Sequence, residues 1–464
     1  MKNTPDLLAL LRLTRTISGA DLLARLQKNR PTLSRATLMR MVKALGEQVV
    51  VRGAARRTTY AARRPIRGSS RSIPLYLIDI NGRGSEIASI DPVYPNGCAV
   101  RFTTSFTWPL TPEMADGWFP GLPYPLDDMR PQGFLGRHFA HAYATLLQVP
   151  EDPQKWQEDD VLYVLSTMAS DSLGNYILGE QAYRRHLDTV QRGYPTVSDE
   201  GLALAYPALA VTAMAAGVAG SSAGGEFPKF TACRERAGQK THVIVKFSGN
   251  DDTPGVQRWS DLLVCEHLAL HAVAQSLALA AARSQIHQVA NRTFLEVERF
   301  DRHGEFGRSS VCTWAALEAA LFGMAGASWS SAAVRLRDEG LISATTASDI
   351  ASLWHFGRLI GNTDMHEGNL AFEPASSAGG ELTLAPAYDM LPMLYAPVRG
   401  VELPLRKFAP ALPLPNEYEV WRSAAAAAIE FWQSAGCDVR ISADFRAVCR
   451  ENGQEVERLV GLIG

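Results

Sequence analysis

An α+β fold built from several units is predicted by three features of the sequence. The first 66 residues combine helical periodicity with a basic hairpin, and the middle carries short β runs. The second half strings a glycine loop, an apolar strand, a long helix and polar turns in order. At 464 residues the chain exceeds one ordinary domain. A content of 46% hydrophobic and 20% charged residues excludes a disordered chain.

The formal net charge of −2 conceals a division. Residues 1–72 hold sixteen Lys or Arg against three acids (Asp6, Asp21, Glu47), a balance of +13. The other 392 residues carry thirty bases and forty-five acids, or −15. A basic head on an acidic body points the head at nucleic acid, although the total argues against it.

Three helical patterns open the head. Leu7, Leu8, Leu10 and Leu11 lie on a helix starting near Pro5, and Ser18 reads as the N-cap of a second bearing Leu22, Leu23 and Leu26. Ser34 caps a third, running to Leu45, with Leu38, Met41, Val42 and Leu45 on one face. Its other face offers Arg35, Thr37, Arg40 and Lys43. Residues 49–51 and 58–61, joined by a turn at 53–56, complete a winged helix-turn-helix layout. A recognition helix needs an apolar back and a basic front for the major groove. Arg52, Arg56 and Arg57 of the wing are expected on DNA phosphates. Residues 63–71 (RRPIRGSSR) read as a basic linker, so the double-stranded-DNA-binding domain spans 1–66.

Short strands follow between 73 and 106, with a turn at NGRG. The Pro/Gly-rich stretch 118–137 contains RPQGFLGR, and helices are expected over 136–147 and 159–168. The pairs His138/His141 and His267/His271 lack companion ligands at metal spacing and read as structural. Residues 203–219, interrupted by Pro207, fall short of the ~20 needed to span a bilayer and read as a buried, Ala-rich core helix. The N-terminus lacks a signal-peptide pattern, and six cysteines include no CxxC pair. Reduced thiols, a cytoplasmic location and no membrane partner are the expectation.

The chemistry lies between 221 and 389. SSAGGEFPKF places Gly224 and Gly225 ahead of Lys229, a loop whose backbone N–H groups can approach phosphate, without the P-loop arrangement. In THVIVKF, Lys246 needs an anionic partner or a ligand unless its strand is an edge. A helix over 260–281 carries Glu266, and TFLEVERF leads into Asp301. After a helix at 344–360 comes GNTDMHEGNL, with Asn362, Asp364, His366 and Asn369, then LTLAPAYDML with Asp389. Two acids and an asparagine on loops beside short strands suit Mg²⁺-dependent phosphoryl transfer. The step from Asp364 to Asn369 matches the D-x-x-x-x-N catalytic loop of protein kinases.

SSAGGEFPKF, HVIVKF, VERFDR, NTDMHEGN and APAYDM, in this order, make the chain resemble the HipA-like toxin serine/threonine kinase family. The head and RPQGFLGR resemble the longer subgroup with an N-terminal winged helix-turn-helix domain. The resemblance implies a protein-kinase-like two-lobed core behind the head. Residues 73–215 would be a β-rich and helical subdomain, 216–305 the small-lobe elements, and 306–464 the helical large lobe. It implies that Lys246 binds the α/β-phosphates of ATP and that Asp364 is the catalytic base or orienting carboxylate. Asn369 and Asp389 would ligate Mg²⁺, with His366 near the phosphates. Glu298, Phe300 and Asp301 would form the hinge for adenine and ribose, and Gly224, Gly225 and Lys229 the phosphate loop. Ser222 falls at the family's autophosphorylated serine, whereas Phe227 stands where many relatives have Gln.

The implied activity is transfer of the ATP γ-phosphate to a protein hydroxyl by a toxin-like growth regulator. The implied partners are a translation factor such as an aminoacyl-tRNA synthetase, an antitoxin protein and DNA. Paired DNA half-sites point to a homodimer, for which the sequence shows no interface. Two other readings remain open: a DNA-binding regulator with a degenerate or nucleotide-sensing kinase fold, and a metal-dependent nuclease toxin.

Overall fold

The computed structural model describes residues 4–53, 57–215, 227–323, 326–375, 377, 379–398, 402–403 and 406–463. The head comprises helices α1 (Thr4–Leu13), α2 (Gly19–Gln27) and α3 (Arg35–Leu45). Strands β1 (Ile17–Ser18), β2 (Val49–Arg52) and β3 (Thr59–Ala62) pair antiparallel in the order β1-β3-β2. The Ser18 and Ser34 hydroxyls accept from the backbone N–H of Asp21 and Thr37, each cap contributing about 1 kcal/mol. Leu7, Leu11, Leu22, Leu38, Val42 and Leu45 close the core of the head, with Tyr94 packed against it.

Residues 63–71 do not form a solvated linker. Arg63 lies 2.6 Å from Asp91, Arg67 lies 2.7 Å from Asp160, and Arg64 pairs with Glu158 and Asp159. Trp118 Nε1 donates to Thr59 Oγ1 at 2.6 Å, over a small core of Val50, Ala61, Val93, Ala99 and Trp118. Part of the basic surplus therefore neutralises acids of the body. The head is docked, not tethered.

The middle unit is a sheet in the order β7-β6-β5-β4-β8, formed by β4 (Ile73–Ile78), β5 (Gly84–Pro92), β6 (Cys98–Phe102), β7 (Trp118–Phe119) and β8 (Tyr176–Leu178). Helices Gly133–Leu147 and Glu158–Thr167 pack beside it. A second five-stranded sheet runs β12-β13-β11-β10-β9, from β9 (Thr196–Ser198), β10 (Lys229–Arg236), β11 (Gln239–Phe247), β12 (Ser284–Val289) and β13 (Arg292–Glu298). β11 is central, so the edge-strand reading of Lys246 is excluded. Strand alternation does the rest. Val243, Val245 and Phe247 face a cluster containing Leu202, Tyr206 and Ala210, and Ile244 and Lys246 face the opposite side.

Two helix expectations change. The helix expected over 260–281 runs Pro254–Gln275, because the Thr253 side chain caps it and Pro254 fits its first turn. Helix Leu202–Ala215 is not a buried core helix. Leu202, Tyr206 and Ala210 are buried, whereas Leu204 and Val211 are 82% and 61% exposed. An evenly apolar helix carries no periodic contrast, so its sequence cannot say which face is covered. Helices Ala344–Leu359, Tyr418–Cys437 and Ala443–Ile463 build the large lobe. Among the described residues, no helix is long and apolar enough to cross a membrane.

Candidate active site

A cleft of about 630 Å³ opens between the central sheet, the large lobe and the middle unit. Lys229, Lys246, Glu298, Phe300, Asp301, Asn369 and Asp389 all line it. Seven positions picked from separate motifs thus share one cavity. Ser222, Gly224 and Gly225 lie outside the described residues, as does Arg56.

Lys246 is the electrostatic centre. Its ammonium lies 2.7 and 2.8 Å from the two carboxylate oxygens of Glu266 and also contacts Asp389 Oδ1. Lys246 is 7% exposed and Glu266 1%. Burial alone would discharge the amine, but the carboxylates of Asp389 and Glu266 outweigh it and hold the amine above its ordinary value. One ammonium shared by two acids leaves the buried one short of compensation. Burial pushes Glu266 up to about 7 despite Lys246. Burial would also raise Asp389, but Lys246 and Lys229 prevail and set it at about 2.

Sequence reasoning named Glu266 on its helix without giving it a role, and the structure pairs it with Lys246. Its signal was an acid amid Leu262, Leu263, Val264, Cys265, Ala269 and Leu270, all buried on one helix. An acid on such a surface demands a cationic partner.

Asn362 staples the two polar loops. Its Nδ2 donates to the Asp389 carbonyl at 3.3 Å, and its Oδ1 accepts from the Asp364 N–H at 3.0 Å. Asn369 Nδ2 donates to the Asp364 carbonyl at 2.9 Å, which leaves its Oδ1 as the atom suited to a cation. Tyr388 Oη closes the loop by donating to the Gly368 carbonyl at 2.7 Å. Asp389 has a φ of +53°, a left-handed conformation that costs an L-residue about 1 kcal/mol or more. Asp364 and His366 are exposed on the same loop and do not line the cleft.

Asp301 lines the cleft but its carboxylate is saturated. Oδ1 accepts from Arg299 Nε at 3.0 Å, and Oδ2 accepts from Arg299 Nη2 and Gly174 N at 2.9 Å, with Arg302 Nη1 at 3.0 Å. Phe227 packs edge-on against Trp259, ring centres 4.6 Å apart, with Lys246 Nζ 6.0 Å from its own ring. The aromatic thus adds an apolar contact and a cation–π contact beside Lys246.

Residues 221–457 match the HipA-like C-terminal domain, and residues 69–187 match the middle domain of YjjJ-like toxins. The chain belongs to the HipA-like toxin family. Toxin YjjJ of Escherichia coli K12 is 36% identical to this HipA-like toxin over 437 residues, covering 93% of the chain and 94% of the relative. HipA of Shewanella oneidensis MR-1, solved with HipB and its operator DNA, superposes with a TM-score of 0.51 at 15% identity. That match covers 84% of this chain and 97% of the other. The HipA-like toxin therefore shares the fold of that HipA over most of its length.

In the head of this HipA-like toxin, Arg35, Arg40 and Lys43 are exposed on α3, opposite the buried Leu38, Val42 and Leu45. Thr37 is half-buried and accepts from Arg40 Nη2 at 3.1 Å. Arg57 is exposed, 3.4 Å from Asp116. Arg52 corrects the wing reading. Its guanidinium lies 2.7 Å from Asp91 and donates to the Val100 carbonyl at 3.2 Å, with 9% of the side chain exposed. It serves the head–body interface instead of phosphate.

Proposed function

We propose that this HipA-like toxin is an ATP- and Mg²⁺-dependent protein serine/threonine kinase with a DNA-binding head. The observation that carries the proposal is the buried Lys246–Glu266 pair, in one cleft with Asn369 and Asp389. Phosphoryl transfer asks a protein mainly to position charges and neutralise phosphate oxygens. Lys246 would hold the α/β-phosphates, and Glu266 would keep the ammonium aimed.

Mg²⁺ typically takes one or two carboxylates and substrate phosphates in place of an all-protein cage. The Asn369 Oδ1 and Asp389 carboxylate fit that demand and would hold it. When bound, the cation would supply positive charge that offsets charge developing on the phosphate. Asp364 would orient the incoming hydroxyl. Its exposure suits an acceptor that is itself part of a protein surface.

Autophosphorylation at Ser222, a translation-factor substrate such as an aminoacyl-tRNA synthetase, an antitoxin and homodimerisation belong to the same proposal, as does a cytoplasmic site of action. The HipA relative solved with HipB and operator DNA supports antitoxin and DNA as partners. The face formed by exposed Arg35, Arg40 and Lys43 with half-buried Thr37 would enter the major groove.

Incubation with γ-labelled ATP and Mg²⁺ should label protein, and Asp364→Asn should abolish labelling while keeping nucleotide affinity. ATP binding without transfer in wild type would favour a nucleotide-sensing regulator. Plasmid nicking lost in Asp364→Ala would favour a nuclease.

A further inference from the structure

The middle unit supplies a wall of the cleft that no kinase motif predicts, through Gln132, Leu135, Phe139, Asp171, Ser172 and Leu173. Acids lining the cleft differ in what their oxygens already hold. Both oxygens of Asp128 accept from Thr313, at 2.6 and 2.7 Å. Both oxygens of Glu266 face Lys246, and Asp301 is saturated by Arg299, Arg302 and Gly174.

The Glu298 carboxylate accepts from no donor among the described residues, and Asp171 is held through one oxygen only. Arg302 donates to its Oδ1 at 2.8 Å and Arg299 donates to the same oxygen at 3.4 Å. Among the described residues, none donates to Oδ2. The side chain remains 36% exposed, while those of both arginines are nearly buried at 8% and 3%.

We propose that the Asp171 carboxylate accepts the ribose hydroxyls of the bound nucleotide, so that the middle unit completes the nucleotide site. The inference rests on the kinase reading and adds a residue to it. Its position argues for the sugar. All five residues line the cleft, and on the kinase reading Lys246, Asn369 and Asp389 would take the phosphate end and Glu298 and Phe300 the hinge. Asp171 is held by Arg299 and Arg302, where the chain leaves that hinge.

Its chemistry argues likewise. An ionised carboxylate only accepts hydrogen bonds, which excludes phosphate and favours a group with O–H donors. A vicinal diol presents two. The arginines keep the acid charged: burial opposes ionisation, but Arg302, Arg299 and Arg308 outweigh it and hold the carboxyl below its usual range. They also fix the orientation of Oδ2 by holding Oδ1. A site built around a substrate hydroxyl rejects the analogue without it, because the acceptor is left unpaired.

The test is calorimetric titration of the full chain with Mg-ATP and with Mg-2′,3′-dideoxy-ATP. Wild type should bind the dideoxy nucleotide at least about tenfold more weakly. Asp171→Asn should lose most of that discrimination. Asp171→Glu keeps the counter-charge for both arginines and displaces the acceptor, so it should also narrow the ratio if Asp171→Asn fails to fold. A loss of structure alone would lower both affinities without changing their ratio.

Equal binding of the two nucleotides by wild type would overturn the inference while leaving the kinase reading intact. So would a ratio unchanged in the folded Asp171 variants, or one lost in Glu298→Gln instead. No Mg-ATP binding by wild type would overturn the nucleotide reading itself.

Discussion

The Lys246 ammonium sits between the two carboxylate oxygens of Glu266, at 2.7 and 2.8 Å, joining a central strand to the helix that covers it. Glu266 is buried against Lys246, which also contacts Asp389. Removing Lys246 leaves Glu266 without that partner, a penalty of about 3–5 kcal/mol in buried pairs. Glu266→Gln should therefore lower labelled phosphate transfer by at least about tenfold through a misplaced Lys246. The double variant with Lys246→Met should lose little more than either single variant, because both act on one element. Additive losses would separate the two residues.

Asp364 and Asp389 should fail differently. Asp389→Asn weakens the cation-holding pair, so Mg²⁺-dependent nucleotide affinity should fall by about tenfold or more. Asp364→Asn leaves that pair intact, so transfer should vanish with affinity within about twofold of wild type. Titration calorimetry beside a labelling assay decides it. Equal loss of affinity in both variants would refute the division of roles.

His186 predicts acid sensitivity. Burial, then the positive Arg308, push its pKa down to about 4, and Arg308 Nη2 lies 3.3 Å from its Nδ1. Between pH 4 and the ordinary value of 6.5, the unfolded chain binds a proton that the folded chain refuses. Stability should thus fall as pH drops through that window. At pH 5.5 the contribution is about 1 kcal/mol. His186→Asn should flatten the difference between urea midpoints at pH 7.5 and 5.5. A slope unchanged by the substitution would refute the assignment.

The head separates into two arginine classes. Arg35→Ala and Arg40→Ala should weaken DNA binding, with the salt slope falling by about one for each phosphate that the wild-type side chain neutralises. Arg52→Ala should leave that slope unchanged and lower the melting temperature, since it removes a partner of buried Asp91. Electrophoretic shifts at several salt concentrations, with thermal melts, test both. A salt slope that falls with Arg52→Ala would restore it to the DNA face.

Ser222→Asp places one negative charge on the loop read as the phosphate cradle. Labelled transfer to substrate should fall by about tenfold or more, through repulsion of the ATP phosphates. Full activity in this variant would end the proposal that phosphorylation there switches the enzyme off.

Several of these features were legible because they are local. Ser18 and Ser34 cap helices whose first turns follow them directly, and Leu38, Val42 and Leu45 show their common face by helical spacing. The Asp364-to-Asn369 step lies within one loop, where Asn369 donates back to the Asp364 carbonyl. Alternation in β11 put Lys246 opposite Val245 and Phe247 without naming its partner.

What escaped depended on distance along the chain. Arg52 looked like a wing cation because Asp91, which holds it, belongs to the next unit. Helix Leu202–Ala215 looked buried because its composition was uniform, and only packing decided that one stripe is covered. Asp301 looked available until Arg299, Arg302 and Gly174 were found on its oxygens. Asp171 gave no signal at all.

The sequence by itself determined the α+β units, the helix caps, the order of the motifs and the division of charge between head and body. Only the tertiary structure decided which charges are neutralised, which acids remain open and which unit walls the cleft. The reason is physical. Periodicity and capping act within a turn or two, whereas a buried ion pair forms wherever packing brings opposite charges out of water together. Lys246 meets Glu266 across 20 residues and Asp389 across 143, and no local pattern measures that separation.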